Sequence, residues 1–335
     1  MKTKTILITG VAGLLGSCFS KYLLDKKYNV IGIDNLSGGY IDFVDNRLIK
    51  NKKFYKIDLG NTKELDLVFK KHKINYVYHF AAYAAEGLSP FIRNFNYSNN
   101  LLSSVNIINC CVKYNVEKII FTSSMAVYGH GLPPFKESQL PKPADPYGIA
   151  KYAVEMDLEQ AFNQFNLKYN IIRPHNVIGI NQNIWDKYRN VIGIWIRRSI
   201  DKQNIYIYGD GKQKRAFSDI KYYMKPFEEL MNGLDGEIFN IGADHEYELI
   251  HIAKLVQKIA KEFGYNPQIE HLEPRLEVKN AFCNHDKAKK LLNFKDDTNI
   301  EKTIREMFEW ATKQPKRKVK KMTYEVDKNI YSFWK

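Results

Sequence analysis

Three glycines near the start of the sequence constrain the fold more than any other feature. Gly10, Gly13 and Gly16 follow a β-branched run and open an amphipathic stretch. A tight turn, a close approach of the backbone to a pyrophosphate, and close packing of a helix on a strand each favour residues without a Cβ. Backbone N–H groups at the start of such a helix face the phosphates. The spacing therefore predicts a dinucleotide-binding turn between a strand and a helix.

The next β-branched run supplies an acid that selects the cofactor. It ends at Asp34, eighteen residues after Gly16. A carboxylate at this strand end accepts hydrogen bonds from both hydroxyls of an adenosine ribose and repels a 2′-phosphate. The turn and the acid together favour NAD over NADP.

Short β-branched or aromatic runs alternate with longer amphipathic stretches over the first half of the chain. This alternation is typical of βα units, and it predicts an α/β fold: a doubly wound parallel sheet of the Rossmann type with a smaller C-terminal substrate domain. We predict strands at Thr5–Thr9, Asn29–Asp34, Lys53–Ile57, Tyr76–Phe80, Lys118–Ser123 and Tyr169–Arg173, and helices at Leu14–Lys26, Thr62–Lys71, Asn99–Tyr114, Tyr147–Phe165 and Glu248–Phe263. In the fourth of these helices a buried stripe is predicted from apolar residues at spacing four, which are Ala150, Val154, Leu158 and Phe162.

The alternation weakens after about Val177 and divides the chain. Residues 1–176, joined by 219–238, are predicted to form the dinucleotide-binding domain, and residues 177–218 and 239–312 the substrate-binding domain. Residues 313–335 contain a basic run with little periodicity, which predicts a solvated tail.

The chain is basic, with 51 Lys+Arg against 37 Asp+Glu and a net charge of +14. Such a charge suggests phosphate-bearing partners, which include nucleic acid, an anionic membrane surface and a small anionic ligand. The lysines are spread over the whole length, which favours a solvated surface over a nucleic-acid-binding patch. A non-catalytic protein that senses the cofactor or binds nucleic acid is kept as the remote alternative.

Cysteine spacing and hydropathy bear on location. Cys18, Cys110, Cys111 and Cys283 show neither CxxC spacing nor a histidine partner, so a metal site and a disulfide framework are not expected. A reducing compartment, the cytoplasm, is predicted. No apolar run reaches the roughly 18 residues of a membrane span, and the stretch 6–16 is interpreted as the glycine turn rather than a signal peptide.

Candidate catalytic groups lie in the second half of the predicted sheet domain. Tyr147 and Lys151 are four residues apart and therefore share one helical face. A free tyrosine titrates near pH 10, and a close lysine cation stabilises the phenolate, so the pair can act as a base toward a sugar hydroxyl. Ser124 follows the fifth predicted strand, and ligands bind at the carboxyl ends of strands in such sheets.

Together these motifs resemble the extended short-chain dehydrogenase/reductase family, and within it the nucleotide-sugar epimerases of the UDP-glucose 4-epimerase type. Thr9–Gly16 is similar to the family's TGxxGxxG turn, Phe121–Gly129 to its serine-bearing strand, and Tyr147–Lys151 to its YxxxK. The resemblance implies that Ser124 hydrogen-bonds the reacting sugar hydroxyl and that Lys151 also binds the nicotinamide ribose. It also implies a UDP-sugar substrate and a homodimer formed through 99–114 and 147–165.

The resemblance assigns further residues to the two ligands. For NAD it implies the glycine turn, the ribose acid, an adenine contact, a loop over the phosphates and an amide behind the site: Gly10, Gly13, Leu14, Leu15, Asp34, Asn35, Asp58, Leu59, Phe80, Ala81, Ala82 and Asn99, with Tyr147 and Lys151. For the UDP-sugar it implies Ser124 and Met125 beside the sugar, Asn176, Arg215 and Arg275 on the diphosphate, Asn190 and Val191 on uracil, and Phe282 beside the C2 substituent.

Departures from related families narrow the reaction. Sugar 4,6-dehydratases carry Asp-Glu directly after the active-site hydroxyl, whereas this chain has Met125 and Ala126, which cannot move a proton. Ala126 also argues against a decarboxylase. A lysine found in the cofactor loop of some 4-epimerases is replaced by the segment Tyr83–Glu86. The expected activity is UDP-glucose/UDP-galactose 4-epimerisation; a 4-epimerase for a uronic acid or N-acetyl sugar, or a dehydratase or reductase, remains the alternative.

Overall fold

A seven-stranded parallel sheet organises the larger part of the protein. The computed structural model describes residues 4–334, and its sheet has the order β11-β6-β5-β4-β1-β2-β3. Six of these strands follow the doubly wound order of dinucleotide-binding folds, which confirms the predicted fold class. The strands are β1 Thr5–Thr9, β2 Asn29–Asp34, β3 Phe54–Lys56, β4 Tyr76–His79, β5 Lys118–Thr122, β6 Lys168–Pro174, β7 Val177–Ile178, β8 Ile205–Tyr208, β9 Lys214–Ala216, β10 Ser218–Asp219, β11 Glu237–Ile241, β12 Glu246–Glu248, β13 Ile269–Leu272 and β14 Asn280–Ala281.

Helices cover both faces of the sheet because the strands are apolar on both sides. In β1, Ile6 and Ile8 pack with Phe19 of α1, whereas Leu7 faces the opposite layer with Leu65 of α3. Burial on both faces is typical of parallel sheets with crossover helices. The helices are α1 Leu14–Asp25, α2 Asn46–Lys50, α3 Thr62–Lys71, α4 Arg93–Tyr97, α5 Ser103–Lys113, α6 Pro146–Phe165, α7 Val191–Ile200, α8 Met224–Glu229, α9 Leu249–Glu262, α10 Asp286–Leu292 and α11 Ile300–Thr312.

The seventh strand corrects one predicted domain boundary. The sequence analysis predicted six strands and divided the chain between residues 238 and 239, which lies inside β11. Ile238 and Phe239 pair with Ile171 and Ile172 of β6, so the whole strand belongs to the main sheet. The chain leaves the sheet only after Ile241. The smaller part then packs α7, α9 and α11 around a separate apolar core.

Helix α6 carries the predicted catalytic pair and begins at a defined cap. The Asp145 carboxylate accepts from the Gly148 N–H at 3.0 Å, and Pro146 occupies the first turn.

The apolar stripe predicted for α6 is wrong at its last position, because Phe162 is 37% exposed and Ala161 is buried instead. At about 100° per residue, eleven residues return almost to the starting face of a helix, whereas twelve overshoot it by about 120°.

Residues 316–334, which we call the strap, correct the prediction of a solvated tail. Lys316 and Lys318 are exposed, but the Arg317 guanidinium lies 4.0 Å from the centroid of the Tyr40 ring. Trp334 is only 2% exposed. The strap therefore packs onto the rest of the protein.

Two further predictions concern cysteines and membranes. All four cysteines within residues 4–334 are free, and three of them are buried. None of the helices in that range is both long enough and apolar enough to cross a membrane.

Candidate functional site

One cavity of about 950 Å³ lies at the carboxyl ends of the central strands. It opens between the sheet and the smaller part of the chain, where ligands bind in doubly wound folds. The structure brings together there every residue that the sequence analysis assigned to a ligand except Phe282. These residues are Gly10, Gly13, Leu14, Leu15, Asp34, Asn35, Asp58, Leu59, Phe80, Ala81, Ala82, Asn99, Ser124, Met125, Tyr147, Lys151, Asn176, Asn190, Val191, Arg215 and Arg275.

The glycine turn has the geometry of a phosphate cradle. Gly10 has φ +71°, and a Cβ at this position would lie 2.7 Å from the backbone nitrogen of Ala81. A Cβ on Gly16 would collide with the Gly10 carbonyl, which packs α1 directly against the turn. Side chains are excluded at both positions by the protein's own backbone, which fits the tight turn and the close helix packing of a dinucleotide-binding turn.

The ribose and adenine side of this cradle also fits NAD. Asp34 accepts from Ala12 N–H at 2.9 Å and from Leu36 N–H at 2.7 Å, so its carboxylate is fixed at the end of β2. Burial raises the pKa of Asp34, and the two N–H donors oppose that shift. Asn35 donates to Asp58 at 2.7 Å and closes the neighbouring rim.

The predicted catalytic groups converge at the end of β5. The Lys151 ammonium donates to the Thr122 carbonyl at 2.7 Å and lies 5.9 Å from the centroid of the Tyr147 ring. The Ser124 hydroxyl accepts from Ala126 N–H at 3.1 Å. Among the described residues, the buried hydroxyls of Thr122 and Ser123 have no hydrogen-bond partner.

Burial dominates the electrostatics of the catalytic pair. It raises the pKa of Tyr147 above the ordinary value; Glu86 adds to the shift, and Ser124 opposes it. Burial also lowers the pKa of Lys151 to about 7, and the Glu155 carboxylate opposes that shift. The sequence analysis expected Lys151 to lower the Tyr147 pKa, but burial is the larger effect in this structure. Tyr147 is therefore a neutral phenol at neutral pH before any ligand binds.

The amide of Asn100, next to Asn99, supports the loop that follows β4. Asn100 accepts from Tyr83 N–H at 2.7 Å and donates to the Tyr83 carbonyl at 3.1 Å. Asn99 lines the cavity and donates to Asn100 at 3.1 Å. A wide helical turn at Ser98–Leu102, which joins α4 to α5, shifts the helix phase so that Asn100 faces the loop.

Both predicted diphosphate arginines reach the cavity, and an acid lies between them. Glu277 accepts from Arg215 at 3.2 Å and from Arg275 at 3.4 Å. Arg215 also donates to the Val278 carbonyl at 2.7 Å and to the Lys279 carbonyl at 3.0 Å. A diphosphate can bind both guanidinium groups, either alongside the Glu277 carboxylate or in its place.

The segment predicted to hold uracil begins a helix. Asn190 has φ +64° and directly precedes α7, and Val191 is the first residue of α7. N–H groups in the first turn of a helix lack intrahelical acceptors, so this end of the cavity offers backbone donors to a polar ring. Asn176 also lines the cavity, and its side chain donates to the Ala216 carbonyl at 3.0 Å.

Phe282 does not line the cavity, which corrects its predicted role. It lies directly after β14, and its carbonyl accepts from Phe135 N–H at 3.0 Å. The neighbouring Ala281 lines the cavity instead. The space expected to be limited by a large ring is therefore bordered by a methyl group.

Two features of the cavity escaped the sequence analysis. Glu86, noted only as part of a departure from the family pattern, lines the cavity, and burial raises its pKa to about 7. Tyr331, Phe333 and Trp334 of the strap also line the cavity. No motif marks either feature, although the concentration of aromatic residues after residue 320 was a usable signal.

The fold and the site define a dinucleotide-binding protein of the doubly wound class, in which a serine, a tyrosine and a lysine converge at the strand ends. Residues 6–242 match the model of the NAD dependent epimerase/dehydratase family. The chain belongs to this family, and NAD is its cofactor.

Individual relatives act on different sugars. The chain is 30% identical to a UDP-glucose 4-epimerase from Thermotoga maritima solved with UDP-glucose, with a TM-score of 0.86 over 92% of this chain and 99% of that one. It is 28% identical to a UDP-N-acetylglucosamine 4-epimerase from Methanobrevibacter ruminantium solved with UDP-N-acetylmuramic acid, with a TM-score of 0.84 over 93% and 99% of the two chains. It is also 28% identical to a UDP-glucuronate 4-epimerase from Thermodesulfobacterium geofontis, over 91% of this chain and 95% of the relative.

Proposed function

We propose that the protein interconverts UDP-glucose and UDP-galactose by inverting C4 of the sugar. The observation that carries this proposal is the convergence of Ser124, Tyr147 and Lys151 in a cavity where Met125 and Ala126 occupy the positions next to the serine. This arrangement provides one proton-transfer group for a sugar hydroxyl and lacks the neighbouring acid-base pair that elimination of water requires.

Tyr147 carries the proton in the proposed reaction. NAD, held by the glycine turn and Asp34, would supply a reversible hydride acceptor at C4, so the net redox change would be zero. Tyr147 is a neutral phenol before the ligands bind, so it first loses its proton to solvent when they bind. As a phenolate it accepts the proton of the 4-hydroxyl when C4 is oxidised, and it gives the proton back when C4 is reduced from the opposite face. Ser124 hydrogen-bonds the same oxygen and holds it against the phenol. Lys151, held by the Thr122 carbonyl, supplies positive charge beside the phenolate.

The charges in the cavity favour a neutral hexose. Arg215 and Arg275 are placed to hold the diphosphate, and the backbone donors of Asn190 and Val191 to hold the base. Glu86 lines the same cavity, and its charge reaches Tyr147, Arg215 and Arg275. A carboxylate in this position repels a second carboxylate, which argues against a uronic acid substrate.

One observation supports a second candidate, the 4-epimerisation of a UDP-N-acetylhexosamine. Ala281, rather than Phe282, borders the cavity, so the bulky ring expected beside the C2 substituent is absent there. An N-acetyl group is therefore not excluded on steric grounds by this segment.

Proton NMR of reactions with UDP-sugars tests both candidates. Purified protein without added reductant should convert UDP-galactose to UDP-glucose. UDP-N-acetylgalactosamine, UDP-glucuronic acid and dTDP-glucose serve as parallel substrates, because C4 inversion and dehydration give distinct spectra. Binding of UDP-galactose without conversion would refute the assignment, and faster conversion of the N-acetyl sugar would select the second candidate.

We also propose a homodimer and a cytoplasmic location. Helices α5 and α6 pack side by side, and the exposed apolar residues Leu102, Ile149, Met156 and Phe165 lie on or next to them. Such a patch on a folded chain is typical of a subunit interface. Light scattering that gives the mass of a single chain at micromolar concentration would contradict the dimer.

The cytoplasmic location is proposed because the four cysteines are free, which suits a reducing compartment.

Glu86 predicts that affinity for the substrate depends on pH. Burial, followed by the charge of Asp145, raises the pKa of Glu86 to about 7, whereas Arg215 and Arg275 lower it. From about pH 6 to about pH 8 the carboxyl therefore becomes charged and opposes a diphosphate beside the arginines. Glu86 is exposed to the cavity, so water screens part of its charge, and calorimetry should show the affinity for UDP-glucose falling by about twofold to threefold over this range.

The variant Glu86→Gln isolates this effect. Lys151 titrates in the same range, since its pKa is about 7, but it is unchanged in the variant. The pH response should therefore shrink in Glu86→Gln and persist in Glu159→Gln, which removes an exposed acid of α6 outside the cavity. An undiminished response in Glu86→Gln would show that Glu86 is not its source.

A further inference from the structure

The strap crosses from the cofactor rim of the cavity to its substrate side. At its start, Lys320 donates its backbone N–H to the Trp185 carbonyl at 2.7 Å and its ammonium to the Ser37 carbonyl at 2.5 Å. Ser37 follows β2 and lines the cavity near Asp34. The first half of the strap is thus tied to the loop that borders the cofactor cradle.

Its middle part is tied to the helix that follows β4. The Glu325 carboxylate accepts from Asn94 N–H at 2.6 Å and from Phe95 N–H at 2.7 Å, which satisfies donors in the first turn of α4. The Glu325 N–H donates to the Phe91 carbonyl at 2.8 Å. These contacts fix the path of the chain rather than leaving it free in solvent.

The last described residues are held firmly enough to form a wall. The Trp334 carbonyl accepts from Lys187 at 2.8 Å and from the Tyr324 hydroxyl at 2.5 Å. The Trp334 ring centroid lies 5.3 Å from that of Tyr188 and 5.2 Å from that of Tyr331. The wall is therefore an ordered aromatic cluster, consisting of Tyr331, Phe333 and Trp334.

The wall adjoins groups that can recognise a nucleotide. The Arg275 guanidinium lies 4.1 Å from the Tyr208 ring centroid and 5.8 Å from that of Trp334. Phe333 packs against Tyr206 at 4.9 Å, and the Arg198 guanidinium lies 3.9 Å from the Tyr206 ring. Aromatic rings combined with arginines are the usual surface for a nucleobase, because every base has a π-face and every diphosphate accepts from guanidinium groups.

The order of groups along a nucleotide sugar indicates which part of the ligand meets this wall. The sugar must reach Tyr147 and Ser124, and the diphosphate lies between Arg215 and Arg275. The nucleoside is attached to the other end of the diphosphate, so it lies beyond Arg275, along Tyr208, Tyr206 and the strap. This placement rests on the proposed function, because it assumes that the ligand is a sugar linked to a nucleoside diphosphate.

We propose that the strap is a wall of the nucleotide-sugar site, in which Tyr331 and Phe333 contact the nucleoside diphosphate and set its affinity, while the buried Trp334 ring supports Tyr331 from behind. The strap is then a binding element of the enzyme rather than a solvated tail. Residues that bind the nucleoside diphosphate alter substrate affinity and leave the chemistry at C4 unchanged.

The test measures binding separately from turnover. In Phe333→Ala and Tyr331→Ala, the Kd for UDP, measured by calorimetry, should rise about tenfold, as expected for a lost base-stacking ring. The KM for UDP-galactose should rise in parallel, with kcat and the amount of bound NAD nearly unchanged. Phe333→Leu retains apolar volume without the ring face, so it keeps the test valid if the alanine variants fold poorly.

The strap also offers a control position outside the cavity lining. Val326→Ala changes a strap side chain that is 44% exposed and faces away from the cavity, and it should leave the Kd unchanged. A lowered melting temperature with an unchanged Kd for UDP would show that the strap is only structural and would overturn the proposal. Weaker UDP binding in the variants without turnover of any UDP-sugar by the wild type would support the strap and refute the proposed reaction. Turnover of a UDP-sugar by the wild type, with unaltered UDP affinity in the variants, would support the proposed reaction and refute the role of the strap.

Discussion

Replacing Tyr147 by phenylalanine should lower kcat for UDP-galactose by about 10²- to 10⁴-fold, the usual contribution of a general acid-base group. The variant keeps the ring that is packed in the cavity and removes only the atom that carries the proton. Because the phenol is 5% exposed, water cannot readily take over its role. Proton NMR of the UDP-sugar mixture measures the rate, and calorimetry should show UDP affinity within about threefold of the wild type.

Tyr152→Phe is the matched control for this prediction. Tyr152 lies on the same helix five residues further on, packs against the cluster that contains Phe135 and does not line the cavity. It should retain wild-type kcat. A Tyr147→Phe enzyme with more than a tenth of wild-type kcat would show that another group moves the proton.

The largest effect on stability is expected from the buried ion pair between Glu155 and Arg173. Arg173 donates to Glu155 at 3.0 Å and 2.5 Å, and their side chains are 4% and 2% exposed. Arg173 also donates to the Tyr128 hydroxyl at 2.9 Å, and this hydroxyl donates to Asn240 at 2.8 Å. Through these contacts α6, which carries Tyr147, is joined to β6 and β11.

Removing one partner leaves a buried charge without compensation. Glu155→Leu should therefore lower the free energy of unfolding by about 3–5 kcal/mol, measured by urea denaturation. The double variant with Glu155→Leu and Arg173→Met should recover most of that loss, because both charges are then absent. An equal loss in the double variant would mean that cavity formation, not the unpaired charge, sets the cost.

An exposed pair provides the comparison. Lys302 and Glu306 lie one helical turn apart on α11 at 3.9 Å, and both are exposed. Glu306→Gln should change the free energy of unfolding by less than about 0.5 kcal/mol. A comparable loss of unfolding free energy at both pairs would show that burial does not set the cost of removing one partner.

Local pattern was sufficient for six of the seven strands of the main sheet and for the cofactor turn. The bounds predicted for β1, β2 and α3 agree with the structure, because each is a short periodic segment with clear end signals. The residues around Gly10 and Asp34 were found for the same reason: a phosphate turn is specified by glycines close together in sequence. Strand β11 was missed because its five residues, Glu237–Ile241, mix polar and apolar side chains, and its place in the sheet depends on pairing with β6.

Side-chain direction was where local pattern failed. Asn100 supports the loop after β4 because one wide turn shifts the phase of a helix, and Ala281 borders the cavity in place of Phe282 because a two-residue strand sets the register there. A shift of one residue moves a side chain to a different face, and no nearby periodicity records it.

The sequence by itself determined the doubly wound fold, the NAD turn and the identity of the serine, tyrosine and lysine, since each depends on residues within one βα unit or one helical turn. Only the tertiary structure decided that Glu86 lines the cavity, that burial raises the Tyr147 pKa, and that residues of the strap line the cavity. The physical reason is that burial and electrostatic shifts arise from groups distant in sequence. Trp334, for example, gains its surroundings from Tyr188 and Arg275 only when the chain is folded.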